Sequence, residues 1–316
     1  MGLTWNHRYL ALAIALVIAL TIAPTIAPTA LHAQSLDDLL RTGRAQADSG
    51  KADEAVKTFE RAVKLNPQSA EAHMRLGSAL GSVAQKVSVI RQPFVAKRIK
   101  AEFERAVELD PTLLAPREGL LQFYLRAPGV MGGSEAKARE QAAAIAKLNR
   151  LRGHFAAATI ANVTKDASGA DKAYRAAASE FPDSLNAVTT YANYLLNNDR
   201  AEEAFPVLDR YLAKHADDRV ALFWFGRTAA VTGKQLDRGE QALKSVLASQ
   251  GSASQGSASQ GSASANGPRV TTEAVHLRLG EIAAKRGDKA KARAAFEEAL
   301  RINPKFEPAR KALAAL

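Results

Sequence analysis

The chain has 316 residues, 43 Lys and Arg against 32 Asp and Glu for a formal charge of +11, with 47% hydrophobic and 24% charged residues. That balance excludes a disordered, collagen-like or multi-spanning membrane chain. The complete lack of cysteine excludes structural disulfides, thiolate zinc sites, cysteine nucleophiles and lipid attachment through an N-terminal Cys, so stability rests on packing.

Residues 1–33 read as a signal segment rather than as part of the fold. Arg8 supplies the only charged side chain of the first stretch, Tyr9 to Ala23 is a 15-residue apolar run, and Pro24 and Pro28 follow. A short apolar core with that layout is the pattern of a secretory signal. Cleavage is expected between Ala33 and Gln34. The competing reading is a retained anchor, because no formal charge occurs between Tyr9 and Leu36. Export points to the periplasm or the outer face of a cell envelope, where nucleic acid is not an expected partner. The basic balance that remains suits acidic partners, anionic lipid or cell-wall polymers.

From Leu36 onward a period of 34 organises the chain. Gly43, Ala55, Phe59, Ala62 and Pro67 fall at places 8, 20, 24, 27 and 32 of the first unit, and Gly280, Ala292, Phe296, Ala299 and Pro304 repeat them in a unit starting at Glu273. Small residues at places 8 and 20 let two helices cross closely, while a large residue at place 24 fills the space they leave. Gly50 and Gly287 fall where two helices must turn, and Pro67 and Pro304 cannot continue a helix. These five positions resemble the tetratricopeptide repeat. The resemblance implies an all-α, right-handed superhelical solenoid of about seven helix-turn-helix units with a closing C-terminal helix, of the kind found in exported bacterial proteins.

Degenerate copies continue the pattern. Ala158, Ala170, Tyr174, Ala177 and Pro182 mark a unit from Leu151, and Ala192, Ala204, Leu208 and Tyr211 mark one from Leu185. After Gly226 the partners Gly239, Leu243 and Val246 arrive one residue late, which places an extra residue at the Gly233-to-Asp237 turn. Units 1–6 are thus expected over 34–248, with insertions near 81–97 and 127–133. A Gly/Ser/Ala/Gln tract at 249–268 is expected to be a flexible loop, with unit 7 over 269–306 and a capping helix over 307–316.

Enzyme signatures are missing: GxxxxGK[ST], GxSxG and HExxH do not occur. No catalytic residue, cofactor or metal is therefore expected. His73, His154 and His276 share place 4 of their units, a packing position rather than a convergent ligand set. Gly129 to Gly133 lacks the cation that a phosphate cradle needs, and its exposed Val130 and Met131 could dock on a partner. Binding is expected instead on the concave wall made by the first helices, through Arg41, Arg44, Arg75, Asn186, Asn193, Trp224, Arg227 and Arg278. Basic groups with an amide ladder and an aromatic suit an extended or acidic peptide segment. Family members that grip C-terminal carboxylates use a Lys at place 5, where Thr189 stands here; only Asn193 matches.

A second basic surface is expected in the first insertion. Lys86, Arg91, Lys97, Arg98 and Lys100 lie in a stretch from Ser82 to Ala101 with no Asp or Glu, interleaved with Ile90, Phe94 and Ile99. Such a segment suits an anionic membrane surface or an acidic partner helix. The expected function is an exported, non-enzymatic scaffold for a protein or peptide in the cell envelope. The alternative is a tether to membrane or wall polymer through 82–101. Nothing in the sequence sets the oligomeric state.

Overall fold

The computed structural model describes residues 34–84, 86–88, 90–252 and 270–316. The expected signal segment 1–33 and most of the Gly/Ser/Ala/Gln tract lie outside these residues. Among the described residues there are fifteen α-helices and no strand. They form seven antiparallel pairs: α1 Leu36–Asp48 with α2 Ala52–Leu65, α3 Ala70–Ala84 with α4 Gln92–Leu109, α5 Leu114–Arg126 with α6 Glu135–Leu148, and α7 Arg150–Val163 with α8 Ala167–Glu180. The array continues with α9 Leu185–Leu196 and α10 Ala204–Leu212, α11 Arg219–Thr232 and α12 Leu236–Ser252, and α13 Thr272–Lys285 and α14 Lys289–Ile302, before α15 Glu307–Ala314 closes it. Short 3-10 turns at Gly129–Met131 and Ala201–Glu203 precede α6 and α10. Each helix packs on its sequence neighbours, and first helices also stack on the next first helix, least closely between α7 and α9. That is the contact pattern of a solenoid.

The repeat places have direct geometric causes. A Cβ on Gly43 would stand 2.5 Å from the Phe59 ring, and one on Gly280 would stand 2.3 Å from Phe296. Phe103 is clasped from both sides, because a Cβ on Gly77 would meet it at 2.8 Å and one on Gly119 at 2.4 Å. The place-24 ring therefore packs against the first helix of its own unit, and Phe103 also reaches the first helix of the next. Gly50 and Gly287 adopt φ of 75° and 81° at the turns between paired helices, a left-handed conformation that costs glycine little.

Both insertions contribute helix among the described residues. The first lengthens α4 to 18 residues, with Pro93 in its first turn, where a missing N–H leaves no helical bond unmade. The second forms the 3-10 turn, after which Ser134 caps α6 by accepting from the Lys137 N–H at 3.3 Å. One boundary differs from the sequence expectation. α12 runs on to Ser252, so the first four residues assigned to the loop at 249–268 are helical. Ser249 and Gln250 extend an existing helix at small cost, and Gly251 falls in the last turn with no proline beside it.

The cores follow the pairing. The largest joins α8 to α13 and centres on α11, where Phe223, Trp224, Phe225, Ala229 and Ala230 are all buried. A separate cluster of Leu39, Leu40, Phe59, Leu76 and Leu80 holds the first two pairs. At the other end Phe306, Leu313 and Leu316 of the closing segment pack on the Phe296 cluster.

Candidate partner-binding face

The eight residues expected on the concave wall separate into two groups. Arg44 and Arg75 converge on Glu71, at 3.7 and 3.3 Å, and Arg41 pairs with Asp38 one turn back. The other group lies on α9, α11 and α13, where the Arg227 Nη1 donates to Asn193 Oδ1 at 3.5 Å and Arg278 pairs with Glu281 at 2.7 Å. Asn186 accepts from the Thr190 hydroxyl at 3.2 Å, and Asn193 also accepts from Asn197 at 3.3 Å. The first and second groups belong to helices that do not pack on one another.

Trp224 does not serve as an exposed contact. It is 2% exposed, packed in the core around α11, with the Arg227 guanidinium 4.6 Å from its ring centroid. α11 is enclosed by α9, α10, α12 and α13, so both the ring of Trp224 and that of Phe223 face packed neighbours instead of solvent. A helix enclosed on most sides hides which apolar face a partner could reach.

Arg227 is the distinctive member. Its guanidinium is half-buried, its Nε has no hydrogen-bond partner, and no carboxylate lies within ion-pair distance. Burial, and then the like charge of Arg278, hold its pKa below the usual arginine value, while Glu281 acts in the opposite direction. Removing a cation from water without giving it an anion is costly. The arrangement is one that an incoming carboxylate would complete. The other four arginines of the set already have carboxylate partners. Glu71 and Glu281 were the sequence signals of this neutralisation, at places 2 and 9 of their units.

Beside Arg227 the stack opens. First helices pack on each other along the array, least closely between the fourth and fifth pairs, at α7 and α9. The opening is a cleft of about 340 Å³ lined by Asn162, Lys165, Tyr174, Asn193, Tyr194 and Asn197. Tyr174 occupies place 24 opposite Ala158 rather than a glycine. Its ring is only half-buried and lies tilted against Tyr194 at 4.9 Å between centroids, and its hydroxyl accepts a hydrogen bond from Asn162 at 2.9 Å. Tyr194 in turn donates to the Ala167 carbonyl at 3.0 Å. Sequence reasoning assigned Tyr174 to packing and passed over Asn162 and Tyr194. The available signal was the hydroxyl itself, since a tyrosine at a filling position must find a polar neighbour. Asn193 lines the cleft and touches Arg227, and so links the two features.

The second basic surface is divided by its ion pairs. Arg98 reaches Glu60 at 2.7 Å and Lys100 reaches Glu104 at 3.0 Å, while Lys86, Arg91 and Lys97 are exposed with no carboxylate partner among the described residues. The three place-4 histidines sit in separate units. His73 is held between Glu102 at 2.6 Å and the Pro67 carbonyl at 3.1 Å, and among the described residues no group of acids and histidines forms a metal site.

Family comparison agrees with the repeat pattern at both ends. Residues 43–82 match a TPR repeat profile and residues 273–306 match a tetratricopeptide repeat profile. No match to a curated protein sequence was found. Among solved structures, the chain is similar to a tetratricopeptide repeat protein from Parabacteroides merdae, at 13% identity over 89% of this chain and 98% of that one, with a TM-score of 0.49. It is also similar to pilF of Pseudomonas aeruginosa, at 12% identity over 89% and 97% of the two chains, TM-score 0.45. A third is YrrB, described as a TPR protein with an unusual peptide-binding site, at 16% identity over 80% and 96%, TM-score 0.37.

Proposed function

We propose that this chain, which is a tetratricopeptide-repeat protein, is a non-enzymatic scaffold that takes an extended peptide segment of a partner protein on the wall formed by α7, α9, α11 and α13. The observation that carries the reading is Arg227: a half-buried guanidinium with no carboxylate of its own, joined through Asn193 to an amide-lined cleft. An acidic side chain or chain terminus of the ligand would pair with Arg227. The side-chain amides of Asn162, Asn193 and Asn197 can bond both N–H and C=O groups of an extended backbone, and the Tyr174 and Tyr194 rings offer an apolar rest for a side chain.

The test is fluorescence anisotropy with a labelled array of extended acidic peptides. Arg227→Met keeps the aliphatic stem over Trp224 and removes the charge. Loss of a charge-assisted hydrogen bond predicts affinity weaker by about tenfold or more, while Arg301→Met, an exposed change on α14, should leave binding unaltered. Peptides bound equally well by the parent and by Arg227→Met, at matched helicity, would sink the assignment.

The same reading includes export to the cell envelope with residues 1–33 removed. Its support is the charge-poor apolar run from Tyr9 to Ala23 before Ala33. Intact mass measurement on protein from fractionated cells is expected to give a chain beginning at Gln34 in the envelope fraction. A chain retaining Met1 in the cytosolic fraction would overturn this part alone.

A further inference from the structure

We propose that the edge made by the α3–α4 connection and the 3-10 turn before α6 is a docking surface for an anionic lipid bilayer, separate from the peptide-binding wall. The three most exposed large apolar side chains among the described residues are Val130 at 98%, Ile90 at 83% and Phe94 at 75%. All three belong to the two insertions. The remaining exposed large apolar residues are at most 55% exposed and scattered along other helices, as is ordinary for a protein surface.

Ile90 lies in the turn two residues ahead of α4, Phe94 in the first turn of that helix and Lys97 one turn later, all exposed. Together they make a ridge at the start of the helix. The opposite side of the same helix is anchored, because Val95 and Ile99 pack on the first apolar cluster and Ala96 and Ile99 on the Phe103 cluster. Phe94 and Lys97 are thus held by a packed helix, with Ile90 in the turn that enters it. The 3-10 turn carrying Val130 packs on this helix, and Gly132 beside it lies against the aliphatic stem of Lys100.

The charges are as one-sided as the apolar tips. Between Ser82 and Ala101 there is no acidic residue. Arg98 and Lys100 are neutralised by Glu60 and Glu104, which leaves Lys86, Arg91 and Lys97 as exposed cations without a partner among the described residues. Bulky apolar tips flanked by unpaired cations fit a bilayer surface: the tips enter among the acyl chains while the cations stay at the phosphates. Side chains this exposed make a ridge, and a ridge needs a complementary groove in a protein partner but none in a fluid bilayer.

The absence of native cysteine allows a local probe. The full-length chain carrying Gln92→Cys is labelled with a polarity-sensitive fluorophore and mixed with vesicles of phosphatidylcholine alone or with phosphatidylglycerol. A label at Ser179→Cys, on α8, serves as the reference site. The expected result is a blue shift and quenching by lipid-borne quenchers at position 92 on anionic vesicles only, with the position 179 label unchanged. Ile90→Ser with Phe94→Ser should abolish the shift. Lys86→Gln, Arg91→Gln and Lys97→Gln together should weaken vesicle affinity by roughly a hundredfold. These side chains are exposed, so helicity should be retained, and circular dichroism checks that. A position 92 label that stays in water while the protein pellets with vesicles would overturn the proposal and assign the association to another part of the chain. A shift induced by an acidic polypeptide and not by vesicles would overturn it in favour of a protein partner.

Discussion

At the scale of single residues, the array is governed by what stands opposite place 24. The rings of Phe59, Phe103 and Phe296 are each buried against a glycine of a first helix, whereas Gly226 faces Leu243. Where place 8 is alanine, the partner is Leu208 or the half-buried Tyr174. Gly280→Ala should therefore destabilise the chain by about 1–3 kcal/mol through overpacking, measured by urea denaturation. Adding Phe296→Leu should recover part of that loss by recreating the Ala192 and Leu208 pairing of the fifth unit. The pairing was legible in sequence because it repeats. Arg227 was named from the sequence for the concave wall, but its half-burial and its lack of a carboxylate were not legible there, since they depend on which places meet across turns and units.

At the scale of elements, the junction of α10 and α11 joins a cap to a buried hydroxyl. Asp218 accepts from the Val220 and Ala221 N–H groups, both at 2.9 Å, and from the Tyr211 hydroxyl at 3.1 Å. Burial first, then the Asp218 charge, push the Tyr211 pKa from 10.0 up to about 12. Above the unfolded value the unfolded chain releases this proton while the folded one keeps it, which favours unfolding. The stability contributed by Tyr211 is thus complete below pH 10 and is lost as pH rises towards about 12. Comparing urea midpoints of the parent and Tyr211→Phe across that window should give a smaller alkaline decline for the variant. An identical decline in both would contradict the assignment. The run of α12 to Ser252 was not legible in the sequence, because the repeated glycines of the tract, beginning at Gly251, read as the end of a helix and its composition as coil.

At the scale of the whole molecule, the repeat period made the fold readable and left the binding surface half-hidden. Periodicity reports which side of a helix faces its neighbours on average. It reported wrongly for Trp224, because α11 has neighbours on nearly every side. It also could not foresee that α7 and α9 would pack less closely than the other first helices. The insertions were visible as breaks in spacing, and their side chains emerge on one ordered helix and the turn beside it.

The looser packing of α7 and α9 also changes how the array is wired. Elsewhere two routes of packing join successive pairs, one through the second helix and one directly between first helices. Between the fourth and fifth pairs the direct route is the weakest of the array, and α8 carries most of the connection: its Tyr174 and Ala178 belong to the core of the later pairs, while its body packs on α7. In network terms α8 is the main bridge between the first four pairs and the last three, and the same Tyr174 that joins it to the later core also forms a wall of the Asn-lined cleft.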